Sequence, residues 1–330
     1  MLISKFRSSF YLQYVLLIVL TAAMWIRAFI TDCPPLSTGD ESPLFQLFYS
    51  ILPTEGFIMP FIGLLLLMLE AFYLNYILIK HEIVPKNSLI TAFVYLLIMS
   101  QSLPALGLNP VICAAFFVIP ALDKILKTYG TADPTRDVFS AALLLALASL
   151  FHFPAIFFAL ILFGSFFVFG TFSIRIFFVG IAGIFTVYLY LFLYYFLIGQ
   201  IDGLFCLYVN WFSSIPHYSY QLPYTQYVLW VFQAIIFLEA FFLVLAGMNE
   251  RNISFRKMIL LMIYFLLFSI GSVVYMLDDL RMASLMPAIP ISIFIATYVA
   301  NRKKLSWILE LFFVIWLIVT IVHNLLIAEC

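Results

Sequence analysis

Two adjacent carboxylates, Asp40 and Glu41, stand in the run Ser37-Thr38-Gly39-Asp40-Glu41-Ser42-Pro43, between two apolar segments. At a membrane–water boundary such a pair can take a proton from an attacking hydroxyl. It can also hold a divalent cation, Mg²⁺ or Mn²⁺, beside a phosphate. The plainer alternative is a solvated loop in which Asp40 or Ser42 caps a helix beginning near Pro43. A second acidic pair, Asp278 and Asp279, is followed by Leu280 and Arg281. A guanidinium there could clamp a phosphate through two parallel bonds, or merely pair with its acidic neighbours at a surface turn. His152, two residues before Pro154, and His217, beside Tyr218, are candidates for phosphate contact or proton transfer. An ordinary hydrogen-bonded histidine is the competing reading for both. Glu70 and Glu239 fall within apolar runs. An acid there marks a proton or cation path, unless it is protonated and bonded to a neighbouring helix. No intramembrane Lys or Arg partner for either is apparent.

The elements that must position these groups are membrane helices. Of the 330 residues, 65% are hydrophobic and 10% charged, against about 25% charged in a soluble domain. A chain so poor in charge cannot clothe itself in polar surface, so lipid is its solvent. Candidate spans are 11–30, 57–79, 88–103, 109–126, 138–151, 154–170, 174–198, 226–247, 257–276, 282–299 and 305–327. The fold expected is all-α: one polytopic membrane domain over residues 1–330, with about eleven transmembrane helices. With the N-terminus inside and the C-terminus outside, 14 of the 16 basic residues fall on the inner side, leaving Arg27 and Arg281 outside. One missed helix would invert every later loop and destroy that separation. The outer side is acidic and aromatic, and its two longest segments are about 31–56 and 199–225. The second mixes rings, polar groups and prolines, as a segment lying at headgroup depth does.

Several classes are excluded. Basic residues form no continuous field, so nucleic acid is not an expected partner. No glycine-rich phosphate loop and no sizeable inner loop appears, which argues against ATP hydrolysis by this chain. Lys5 and Arg7 precede the first apolar run like the start of a signal sequence, but that run is long enough to span and Asp32-Cys33-Pro34-Pro35 offers no small-x-small cleavage site. A retained first helix follows. Cys33, Cys113, Cys206 and Cys330 have no metal-type spacing. Free thiols are the simpler reading, with a Cys33–Cys206 disulfide open.

Two resemblances add to this. The segments Asn109-Pro110, 137–155 and 194–200 resemble an uncharacterised family of Bacteroidota inner-membrane proteins, which implies a multi-pass protein of the bacterial inner membrane and no particular activity. The order of features is also similar to the GT-C superfamily of polyprenyl-phosphate-sugar glycosyltransferases. In that superfamily the first outer loop carries an acidic motif, matched here by Asp40-Glu41. A Leu- and Ala-rich helix ending in proline is matched by 147–154, and a late Arg-to-Pro helix by Arg281 through Pro290. The resemblance implies transfer of a sugar from a polyprenyl phosphate to an envelope acceptor. Asp40 or Glu41 would be base or metal ligand, Arg281 would neutralise the lipid phosphate, and a divalent cation is optional. The alternative class is a transporter, a flippase or a subunit of an envelope assembly complex, favoured by Glu70 and Glu239.

Overall fold

The computed structural model describes residues 2–8, 10–30, 42–51, 57–101, 107–213, 223–275, 280–302 and 307–326. Each of the eleven apolar stretches contains a helix among its described residues. They form α2 (Tyr11–Trp25), α4 (Ile58–Lys80), α5 (Ile90–Met99), α6 (Pro110–Lys127), α7 (Thr135–Phe151), α8 (Ala159–Phe169), α9 (Ile174–Leu197), α11 (Tyr224–Ala246), α12 (Ile253–Tyr275), α14 (Ala288–Asn301) and α15 (Trp307–Leu326). Four shorter helices lie between or before them: α1 (Leu2–Phe6), α3 (Pro43–Ile51), α10 (Ile201–Ser213) and α13 (Leu280–Ala283). No strand occurs among the described residues.

Among the described residues, six helices are long and apolar enough to cross a membrane: α2 with its 3₁₀ extension (Tyr11–Phe29), α4, α9, α11, α12 and α15. The others are shorter. At 1.5 Å per residue, the ten residues of α5 cover about half of a 30 Å hydrocarbon layer. Their shortness has a packing reason. Every residue of α5 is buried, and so is every residue of α14 except Asn301. The two pack together at the centre of the bundle, sheathed by α4 and α11. By contrast α9 and α11 are apolar yet largely exposed, as helices facing lipid are.

Most of the basic residues whose contacts are described gather at one end of this bundle. Lys80 reaches both carboxylate oxygens of Asp123 at 2.7 Å, and His81 Nε2 meets the same group at 2.8 Å. Asp137 at the start of α7 lies 3.5 Å from Lys124 and 3.4 Å from Lys127 at the end of α6. Lys257 sits over the Tyr129 ring and donates to the Phe169 carbonyl, while Arg7 donates to the carbonyls of Ala300 and Arg302. These contacts join the ends of α4, α6 and α8 to the starts of α7 and α12, and the end of α14 to the turn between α1 and α2. The far end therefore holds the starts of α4, α6 and α14, the end of α7 and, with it, His152.

Candidate functional site

At that far end, α3, α7 and α9 enclose a groove of about 620 Å³. α7 contributes Leu143, Leu147 and Leu150, and α3 contributes Leu44 and Leu47. The α9 wall runs from Thr186 and Val187 to Tyr194 and Tyr195, and Gln200 closes the end. The lining is mostly aliphatic, with hydroxyl and amide groups from Gln46, Ser50, Tyr190 and Gln200 among it. Tyr190 and Tyr194 are exposed, so the groove is open on the lipid-facing flank of α9.

The groove has a structural origin in sequence. Gly183 lets α9 lie directly on α7: a Cβ there would come within 2.7 Å of the Ala142 Cβ and 2.8 Å of the Phe139 carbonyl oxygen. Small residues allow such close approach where hydrophobic collapse does not drive association. From there Leu143, beside the contact, and Val187, one turn beyond Gly183, line the start of the groove. α3 then lies across the opening and shares an apolar cluster with α7, α9 and α10 through Leu44, Leu150, Leu191 and Leu204.

Beside the groove is a polar and aromatic junction. The Phe153 N–H donates to Ser42 Oγ at 2.9 Å, fixing the residue that follows Glu41 against the break between α7 and the 3₁₀ turn Phe153–Phe158. Ser42 stands at the start of α3, where its carbonyl accepts from the Phe45 and Gln46 N–H groups while its hydroxyl accepts from Phe153. The Phe153 ring lies 5.4 Å from both Tyr208 and Trp211 of α10. Ser149 and Tyr188 share a hydrogen bond of 2.8 Å behind it.

His152 is 4% exposed, and its Nε2 meets no hydrogen-bond partner among the described residues. Burial pushes its imidazole down to about 3, so it is neutral at physiological pH. Contact with a phosphate through His152 would therefore be a neutral hydrogen bond.

Ser42 and His152 are thus brought to one place. Arg281 lies in α13, before α14 and at the same end of the bundle; the turn that follows meets the 3₁₀ segment, where Leu285, Met286 and Ile289 line a crevice with Phe158. Asp40, Glu41, His217, Asp278 and Asp279 fall outside the described residues, as does Cys33. Cys206 carries a free, exposed thiol and Cys113 a free, buried one. No group of three His, Cys, Asp or Glu side chains suited to a metal gathers among the described residues.

The two acids inside apolar runs have different surroundings. Glu70 is buried and accepts from the Tyr95 hydroxyl at 2.8 Å. Glu239 has the partner that the sequence did not reveal: Arg302 Nη2 at 3.0 Å, with the Tyr298 hydroxyl on the same oxygen. Neither acid lines the groove. Sequence reasoning missed the groove itself and the Ser42 anchor. The signal for the first was the tyrosine-rich second half of α9, with rings at 188, 190, 194 and 195.

No family model matches the chain, and no curated protein matches it. Among solved structures, the archaeal oligosaccharyltransferase AglB from Archaeoglobus fulgidus, in complex with an inhibitory peptide and a dolichol-phosphate, superposes with a TM-score of 0.44 at 14% identity, over 94% of this chain and 51% of that one. The oligosaccharyltransferase of the same organism in the apo form gives a TM-score of 0.45 at 14% identity, over 93% and 52%. This chain spans about half the length of the solved structures to which it is similar.

Proposed function

We propose that this protein is a membrane glycosyltransferase that moves a sugar from a polyprenyl-phosphate donor to an envelope acceptor on the outer face of the bacterial inner membrane. The supporting observation is the groove between α3, α7 and α9, with mostly aliphatic walls and an exposed flank on α9. It runs to the junction where Ser42, next in sequence to Asp40 and Glu41, is bonded to Phe153. Ligand sites are typically concave and apolar with a few polar groups at one end. A prenyl tail fits the aliphatic walls, and its phosphate would lie against the polar groups of Gln46, Ser50 or Gln200.

In the transfer, the acceptor hydroxyl oxygen bonds to the anomeric carbon as the bond from that carbon to the phosphate oxygen breaks. Asp40 or Glu41 takes the hydroxyl proton. Arg281 stabilises the charge left on the lipid phosphate. His217 serves as a further substrate contact, and neutral His152 as a hydrogen-bonding one. A divalent cation, where used, would be held by Asp40 or Glu41 and would offset phosphate charge, while Asp278 and Asp279 are further substrate contacts. The basic end of the bundle faces the cytoplasm by the positive-inside rule, with about eleven spans, the N-terminus inside and the C-terminus outside.

The test is transfer by the full-length protein in nanodiscs supplied with labelled prenyl-phosphate sugars and an envelope extract as acceptor. Asp40→Asn with Glu41→Gln is expected to slow transfer about 100-fold or more. Leu147→Trp, which fills the groove, is expected to raise the KM for the donor. If the double variant leaves labelling in vitro and envelope glycans in cells unchanged, the assignment fails.

A further inference from the structure

A second cavity lies at the opposite, basic end of the bundle and is unrelated to the groove. It encloses about 260 Å³ in the crease between α11 and α12, floored by α14. Arg251 and Arg302 face it from different elements, together with Gly247, Asn301, Tyr298 and Phe255. Arg302 stacks over the Tyr298 ring at 4.5 Å and gives one Nη2 to Glu239 at 3.0 Å. Its remaining N–H groups bond to nothing else among the described residues. Arg251 has less to occupy it: its guanidinium lies 5.6 Å from the Phe255 ring and makes no ion pair among the described residues.

The local charge is positive. The stretches 251–257 and 302–304 carry Arg251, Arg256, Lys257, Arg302, Lys303 and Lys304, against Glu239, Glu250 and Glu310 as the nearby acids in sequence. The flanks are apolar and exposed, with Leu243 and Phe242 on α11 and Leu260 on α12. Two guanidiniums at the mouth of a crease whose sides face hydrocarbon suit a ligand with an anionic head and apolar chains. Planar N–H forks match phosphate geometry, and basic pockets between membrane helices on the cytoplasmic side take phospholipid headgroups.

We infer that the Arg251–Arg302 pocket binds the phosphodiester headgroup of an anionic membrane phospholipid, with its acyl chains lying along α11 and α12. Arg251 supplies the unpaired charge. Arg302, held in place by Glu239 and Tyr298, supplies the oriented donors. Because the pocket is separate from the groove, this inference stands whether or not the chain transfers sugar.

The experiment titrates delipidated full-length protein in neutral detergent with phosphatidylglycerol, and separately with phosphatidylcholine of the same acyl chains. Binding is read by native mass spectrometry and by thermal shift. Phosphatidylglycerol is expected to bind and stabilise selectively, and Arg251→Gln to weaken it about five- to tenfold. Lys86→Gln, at an exposed lysine of the same end, is expected to leave binding unchanged. Equal loss in the two variants would reveal diffuse surface electrostatics and overturn the site. Equal binding of the two lipids would overturn the headgroup assignment. Inorganic phosphate that displaces the lipid and stabilises as well as it does would make this a free-anion site and overturn the lipid.

Discussion

At the scale of single residues, the contact between Ser42 and Phe153 governs how the acidic loop meets the rest of the molecule. The Phe153 N–H is buried, and Ser42 Oγ is its acceptor at 2.9 Å. Ser42→Ala should cost about 1–3 kcal/mol, the penalty for an unsatisfied buried donor, while Ser42→Thr should retain most of the stability. Thermal unfolding of the detergent-solubilised protein measures both. His152 gives a pH dependence of defined sign. Its imidazole is pushed from 6.5 down to about 3 by burial, so between those values the unfolded chain carries a proton that the folded one refuses. Stability from this group is therefore complete above pH 6.5 and falls as the pH drops towards 3. The unfolding midpoint should decline between pH 7 and pH 4.5, and His152→Gln should flatten that decline; an identical slope in the variant would remove His152 as its source. That His152 is buried could not be read from its neighbours in sequence, because Phe151 and Phe153 suit a core and a lipid interface equally well.

At the scale of elements, the groove exists because α7 and α9 touch at one level and part at the next. Gly183 sets the touching point against Ala142 and Phe139. Gly183→Leu should force the helices apart, destabilise the protein by about 1–3 kcal/mol as overpacking does, and weaken binding of a prenyl ligand. Gly203→Ala in α10, where a Cβ would meet nothing within 4 Å, is the control and should be close to neutral. Unfolding midpoints for the two variants settle the comparison. The sequence located α7 and α9 within a few residues but could not pair them. Contact between α3 and α7 was equally invisible, since Pro43–Ile51 is a nine-residue helix in a segment marked only by its acids.

At the scale of the whole molecule, charge sorting was legible and packing was not. Lys80, Lys127, Lys257 and Arg302 were grouped from loop positions alone, and their contacts do lie at one end of the bundle. Accessibility labelling of single cysteines is expected to find position 86 reactive from the cytoplasm and position 200 from outside; the reverse result would invert the proposed orientation. By itself the sequence determined the solvent, the helical class and the division of charge. Each follows from composition and from the cost of carrying ions or unpaired backbone groups into hydrocarbon. Only the tertiary structure decided that α5 and α14 form the centre, that Glu239 pairs with Arg302, and that a groove opens beside Ser42. The physical reason is that lipid is as apolar as the protein interior. A buried helix face and a lipid-facing one therefore carry the same residues, and the periodicity that would tell them apart in water is lost.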